Sequence, residues 1–410
     1  MTISFSKVAL HRLFLFIFWL LFFLPLAVSH FEPKLEYVAL LIRMPVFIVA
    51  FFDVAGSIVS NHLKKKSFLT GICILLIWDL ICVLINTPSA VLSNLADAYQ
   101  IVEMIVVLFY SFKCYEINGL QPLYYVSVLY ILLNFVLMIF FPRGIYVSDA
   151  ASSIERSQWL FGSKNNVGVY LSTFSFMVII TRTSKAFLSR FMTLLVVGIS
   201  CYCIASSGSD SVAFLEGSST GILMCGVIIF TFLFSNSSLF CSGKRQLLSP
   251  NKIIVIVCVL NIIIVGGFTS TFVFDFIFNA FHKSVTFSGR VYVWEAAIKY
   301  IKQSPFFGHG ITRVVFSGSS LTSTYNTLLG IMKNYGIPAV LILILSIRSM
   351  KVSASRNVQI ALFGLMTCFI NGLMSQISLV FIVFFMTIAY LIYNDESKMQ
   401  NDVCDSKKLQ

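Results

Sequence analysis

The chain has 410 residues, of which 58% are hydrophobic and 11% charged, with a mean hydropathy of +0.90. Those values exclude a water-soluble globule and require a protein that uses the bilayer as solvent. The formal net charge of +12 invites a nucleic-acid reading, but its distribution along the chain, described below, makes it a topology signal, with no nucleic-acid partner expected.

Alternating short apolar segments, the mark of a membrane barrel, are absent, so the expected fold is all-α: a polytopic membrane helix bundle. Against the roughly 20 residues needed to cross a bilayer, apolar runs predict spans near 13–30, 37–56, 68–86, 98–115, 122–141, 167–181, 191–206, 212–234, 253–272, 325–347, 358–373 and 376–393. That is about twelve transmembrane helices in a single integral membrane domain, 1–410. The first run carries Lys7 and Arg12 ahead of it and Ala27-Val28-Ser29 behind it, like a secretory signal, but further spans follow at once and predict an uncleaved anchor.

Basic residues accumulate in cytoplasmic segments. With the N-terminus inside, the inner segments carry about twice as many Lys and Arg as the outer loops, which predicts that both termini, including the tail 394–410, are cytoplasmic. The outer basic residues other than Lys34 fall in two loops, 142–166 and 273–324. Those loops are the candidate active surface.

Within the second loop the stretch Ser288 to Gly310, SGRVYVWEAAIKYIKQSPFFGHG, is unlike the apolar runs around it. Ser288 is a fitting N-cap and Ser304-Pro305 a fitting stop, so an amphipathic helix is predicted over 289–303. Val291, Trp294, Ala297, Ile298 and Ile301 share one face, and Glu295, Lys299 and Lys302 another. Too charged to span, such a helix is expected to lie along the outer membrane surface. Its first turn offers unpaired backbone N–H groups, and Arg290 adds a bidentate donor at the same point, a combination suited to phosphate or pyrophosphate. The alternative is that Arg290 pairs with a headgroup or a neighbouring carboxylate.

Ten cysteines are present, none of them in the two long outer loops, and none has zinc-ligand spacing with histidine. Neither a disulfide framework, a metal site nor a cofactor is expected. Charged residues inside spans are costly; Arg43 and Asp79 are read as snorkelling or paired, and Lys333, two turns beyond Tyr325, as facing a cleft from below.

Three elements carry a resemblance. S-G-R-x-x-x-W-x-x-A-I-x-x-I-x-x-S-P-x-x-G-x-G runs from Ser288 to Gly310; Tyr325-Asn326-Thr327-Leu328-Leu329 is followed by Tyr335-Gly336-Ile337; and Phe161-Gly162-Ser163-Lys164-Asn165-Asn166-Val167-Gly168 lies upstream. In this order they resemble the signature of the bacterial O-antigen polymerase and O-antigen ligase superfamily, closer to the polymerase. The resemblance implies a multi-pass protein of the bacterial inner membrane that takes glycan from an undecaprenyl-diphosphate-linked oligosaccharide and transfers it to a sugar hydroxyl. It also implies a chain-length-regulating membrane protein as a further partner beside the lipid bilayer.

Arg290 matches the family's pyrophosphate-binding arginine. Two positions depart from the pattern: Ser209-Asp210-Ser211 stands where many members have Ser-Arg-Thr, and Tyr325 stands where ligases have a histidine before Asn326. Asp210 cannot hold a pyrophosphate directly, and a phenol, which keeps its proton at neutral pH, is a poor general base. The second cation is therefore expected among Arg143, Arg156, Lys164 and Arg313, with Lys333 below. The proton acceptor is expected among Asp210, Glu295, Glu216 and His309, with Tyr325 and Asn326 kept as catalytic candidates. Three of these have a bland alternative: a turn residue for Asp210 and His309, a solvated ion pair with Lys299 for Glu295. A ligase acting on lipid A core and a flippase of the same lipid-linked glycan are the competing functions; no repeat between the two halves of the sequence supports the flippase.

Overall fold

The computed structural model describes residues 7–60, 67–86, 91–147, 157–181, 187–208, 212, 218–235, 237, 246–266, 290–312, 314–316, 319–321 and 323–408. It is an all-α bundle. Its helices are α1 (Lys7–Phe22), α2 (Leu26–Phe31), α3 (Lys34–Ser60), α4 (Ser67–Asn86), α5 (Val91–Tyr115), α6 (Gln121–Phe140), α7 (Lys164–Thr181), α8 (Phe187–Ser206), α9 (Ser219–Phe234), α10 (Pro250–Asn261), α11 (Arg290–Gln303), α12 (Thr327–Arg348), α13 (Arg356–Gly372) and α14 (Leu379–Lys408). Two antiparallel strand pairs, β1 (Tyr146–Val147) with β2 (Ser157–Gln158) and β3 (Val314–Phe316) with β4 (Ser319–Leu321), punctuate the two long loops.

Among the described residues, seven helices are long and apolar enough to cross a membrane, within α3, α4, α5, α6, α8, α12 and α14. The other expected spans coincide with shorter or more polar helices: α1, α7, α9, α10 with its π-helical extension Ile262–Gly266, and α13. Two of the boundaries that differ from the apolar pattern have plain local causes. Pro25 stands before α2 at φ −62° and ψ 140°, so the run 13–30 is split into α1 and α2, because proline lacks the N–H that a continuous helix needs there. Conversely α14 does not stop at 393 but continues to Lys408 through residues too polar to read as span.

The core forms around α7, which is buried from Val167 to Ile180 except at half-buried Tyr170. A helix apolar on every face must be covered on every face, and α6, α8, α9 and α13 supply the cover. Its hydroxyls are satisfied inside the bundle: Ser175 Oγ donates to Leu171 O at 2.8 Å and lies 2.7 Å from Ser200 Oγ of α8. Aromatic rings fill the space toward α1 and α14, where Phe23 meets Phe174 at 5.3 Å and Phe384 at 5.9 Å. At the far side α12 packs along α4, and α13 along α14. Arg43 of α3, which the sequence pairs with nothing nearby, lies 3.6 Å from Glu103 of α5, both buried.

Candidate functional site

The site is built on a break in α12. Gly336 has φ 80° and ψ 173°, and Pro338 follows two residues later. Proline has no N–H for Asn334 O, and the turned backbone at Gly336 removes the regular donors for Lys333 O and Tyr335 O. Unpaired carbonyls in hydrocarbon cost several kcal/mol each, so donors must come from elsewhere. The loop after α11 supplies two: His309 N donates to Lys333 O at 2.8 Å and Gly310 N to Asn334 O at 2.9 Å. Trp78 of α4 supplies the third, with Nε1 2.9 Å from Tyr335 O, and Ile337 N is satisfied by Pro305 O at 2.8 Å.

This explains the Ser304-Pro305-x-x-Gly308-x-Gly310 element physically. Gly308 sits at φ 64° with the backbone of Asn334 against it, and an added Cβ would come within 2.4 Å of Asn334 O. At Gly336 an added Cβ would come within 2.0 Å of Phe306 O. Two backbones can approach this closely only at glycine. Phe307 stacks on Trp78 with centroids 5.5 Å apart, which ties the loop to α4 as well.

The break also brings α11 onto α12. Trp294 of α11 is fully buried with Ile301 and with Leu329 of α12. The apolar face of α11, Val293, Trp294, Ala296, Ala297 and Ile301, is thus turned onto protein, so its amphipathic pattern does not require a lipid surface. The opposite face, with Tyr292, Glu295, Lys299, Tyr300 and Gln303, borders a shallow hollow of about 410 Å³.

Arg290, the first residue of α11, lies with its guanidinium carbon 5.4 Å from the centre of the Tyr325 ring. Tyr325 adopts φ 52°, unusual for a residue with a side chain. Its N–H donates to Ser323 Oγ at 3.1 Å, and Thr324 on one side is fixed by Gln376 Oε1, 2.9 Å from Thr324 N. Asn326 on the other side caps α12: its Oδ1 accepts from Leu329 N at 3.0 Å, while Nδ2 donates to Asn261 Oδ1 of α10 at 2.9 Å and to Leu373 O at 3.2 Å. Fully buried, Asn326 joins three helices at the turn that carries Tyr325.

The remaining sequence candidates fall elsewhere. Lys333 is fully buried, and its Nζ donates to Thr312 O, anchoring the end of the 304–312 loop. His309 has Nε2 2.8 Å from Tyr300 O, so that nitrogen carries the proton and Nδ1 is the nitrogen left to accept one. Arg143 is exposed in the turn after α6, and Lys164 opens α7; neither element is among the main neighbours of α11, which are α12 and β3. Arg156, Asp210, Glu216, Arg313 and Ser288, the expected N-cap, lie outside the described residues. Ser207 and Val212 form a bridge, and Val212 N donates to Pro142 O at 2.7 Å, which sets Val212 next to the residue that precedes Arg143.

A cavity of about 340 Å³ lies on the other side of the 323–327 turn. Asp79 and Val83 of α4, Asn94, Asp97 and Ile101 of α5, Asn334 and Tyr335 of α12 and Gln376 border it, and so do Ser323 and Thr327. Asp79 is 7% exposed and Asn334 6%. Among the described residues neither Asp79 Oδ1 nor Asn334 Oδ1 has a hydrogen-bond partner. Asp79 reads in the sequence as an isolated carboxylate in a span; only the approach of α5 and α12 makes it part of a cavity wall.

Residues 169–344 match a family model described as O-antigen ligase. The match supports the O-antigen ligase and polymerase superfamily, without separating ligase from polymerase, and it covers α7 through most of α12. No curated protein and no solved structure matches the chain.

Proposed function

We propose, from the premise that residues 169–344 are those of the O-antigen ligase and polymerase superfamily, that this chain is a surface-polysaccharide polymerase of the bacterial inner membrane. It transfers glycan from an undecaprenyl-diphosphate carrier to the terminal sugar of another lipid-linked repeat unit on the periplasmic side. The acceptor hydroxyl oxygen attacks the anomeric carbon of the donor glycan, and the bond from that carbon to the diphosphate oxygen breaks. The diphosphate lipid leaves with the electron pair and the hydroxyl proton passes to a base.

The observation that carries the reading is Arg290 at the start of α11, seated over Tyr325 at the mouth of α12. Stacking uses the face of a guanidinium, whereas bidentate donation to a diphosphate uses its edge, so one side chain serves both. The helix N-terminus adds partial positive charge at the same point. Charge developing on the leaving diphosphate is thereby met by donors fixed in advance.

The tyrosine at position 325, where the resemblance sets a histidine in ligases, favours the polymerase. The description of the matching family favours ligation to lipid A core as the second reading. Deleting the protein and displaying the surface glycan on a gel separates them: a single capped repeat unit supports the polymerase, no glycan on core supports the ligase, and repeat units held on the inner leaflet would indicate a flippase. Complementation with Arg290→Ala is expected to leave protein in the membrane but no long chains; wild-type chain lengths would refute the role given to Arg290.

A further inference from the structure

We propose that the cavity between α4, α5 and the first half of α12 is the binding site for the acceptor sugar, with Asp79 and Asn334 accepting hydrogen bonds from its hydroxyls. The inference rests on the polymerase or ligase reading above and adds to it where the second substrate lies.

Three observations point to a polyhydroxyl ligand. The volume of about 340 Å³ falls in the range of small-molecule sites, about 300–1,000 Å³. Buried in its wall are two oxygens, Asp79 Oδ1 and Asn334 Oδ1, that have no hydrogen-bond partner among the described residues. Such atoms are expensive unless a donor arrives, and a sugar hydroxyl is a donor. Leu80, Val83, Ile101, Ile331 and Ile377 also line the cavity, an apolar surface suited to the C–H face of a pyranose ring.

The same lining offers nothing to a phosphate. It contains no Lys or Arg, so no cation there pairs with a diphosphate, which is left to Arg290. The described residues hold no cluster of three His, Cys, Asp or Glu able to bind a metal, and the space exceeds an ion's coordination shell. Position completes the argument. Ser323 and Thr327 line the cavity, while Tyr325 between them touches Arg290. One short turn therefore separates the sugar cavity from the diphosphate arginine, the separation that a donor sugar joining the two would bridge.

The test uses the full-length protein in nanodiscs and two probes: the oligosaccharide released by mild acid from the strain's own lipid-linked repeat units, and farnesyl diphosphate. Asp79→Leu, which removes the acceptor at similar volume, and Ala98→Trp, which fills the cavity from α5, are expected to weaken oligosaccharide binding at least tenfold. Both should bind farnesyl diphosphate as the wild type does, which also shows that they fold. Oligosaccharide binding unchanged in either variant overturns the proposal, and so does saturable calcium binding that Asp79→Leu abolishes while the oligosaccharide does not bind. Arg290→Ala separates the two readings. If it keeps both diphosphate affinity and long chains, the leaving-group site falls whatever the cavity does; if it loses both while the cavity variants bind sugar normally, only the acceptor site falls.

Discussion

Tyr325 is held at φ 52°, a conformation that costs about 1–2 kcal/mol for an L-residue, by hydrogen bonds on both sides of it. Such strain is retained where the surroundings fix it, and here it presents the ring to Arg290. If the ring is the working part, Tyr325→Phe should keep long glycan chains and Tyr325→Ala should shorten or abolish them, read on the same surface-glycan gel. Loss of chains in Tyr325→Phe would return the hydroxyl to the chemistry. Arg290→Lys should lose most activity, about tenfold or more, since one ammonium cannot replace a bidentate fork; steady-state transfer rates with purified lipid-linked repeat measure it. The helix that begins at Arg290 was legible in the sequence because a polar, charged amphipathic stretch ending at Ser304-Pro305 is a local pattern. The work of Lys333 and His309 was not, since a lysine bonded to Thr312 O and an imidazole bonded to Tyr300 O depend on where a loop folds back.

At the scale of elements, the helices were legible almost throughout, because a bilayer demands uninterrupted apolar length. The misread ends have local causes, a proline at 25 and a polar helical extension after 393. The packing of α11 on α12 was not legible: an apolar stripe looks the same whether it meets lipid or Leu329. The break in α12 makes its own prediction. Trp78→Phe keeps a ring against Phe307 but removes the indole donor to Tyr335 O, leaving the weaker Cys82 thiol at 3.3 Å, and should cost about 1 kcal/mol, seen as a lower thermal midpoint in detergent. Gly308→Ala should cost more than about 2 kcal/mol, because the positive φ and the nearby Asn334 backbone act together. Unchanged midpoints would mean that the loop and α12 are not coupled in this way.

For the whole molecule, the order of the apolar helices follows from composition, but the pairing of distant charges does not. Arg43 and Glu103 are both buried and belong to helices that meet only in the bundle. Removing one partner strands the other, so Arg43→Ala should destabilise by about 3–5 kcal/mol. The double substitution Arg43→Met with Glu103→Leu should recover most of that, because the cost lies in the uncompensated charge and not in the lost pair. Denaturation midpoints of the three variants decide it, and a double variant as unstable as Arg43→Ala would indicate a structural need for the ion pair itself. The cavity is likewise a property of the whole: its wall takes residues from α4, α5, α12 and the turn before α14, each unremarkable alone.

The break in α12 also bears on the sequence of events at the ribosome. Trp78 and the loop 305–310 are synthesised before Thr327–Arg348, and each carbonyl released at the break is met by a donor from one of them. When α12 enters the membrane its partners have already been made, so it can insert against a waiting template and need not cross as an isolated, incompletely bonded helix. A rearranged gene encoding α12 ahead of these segments would keep every contact of the finished molecule and lose that advantage during its assembly.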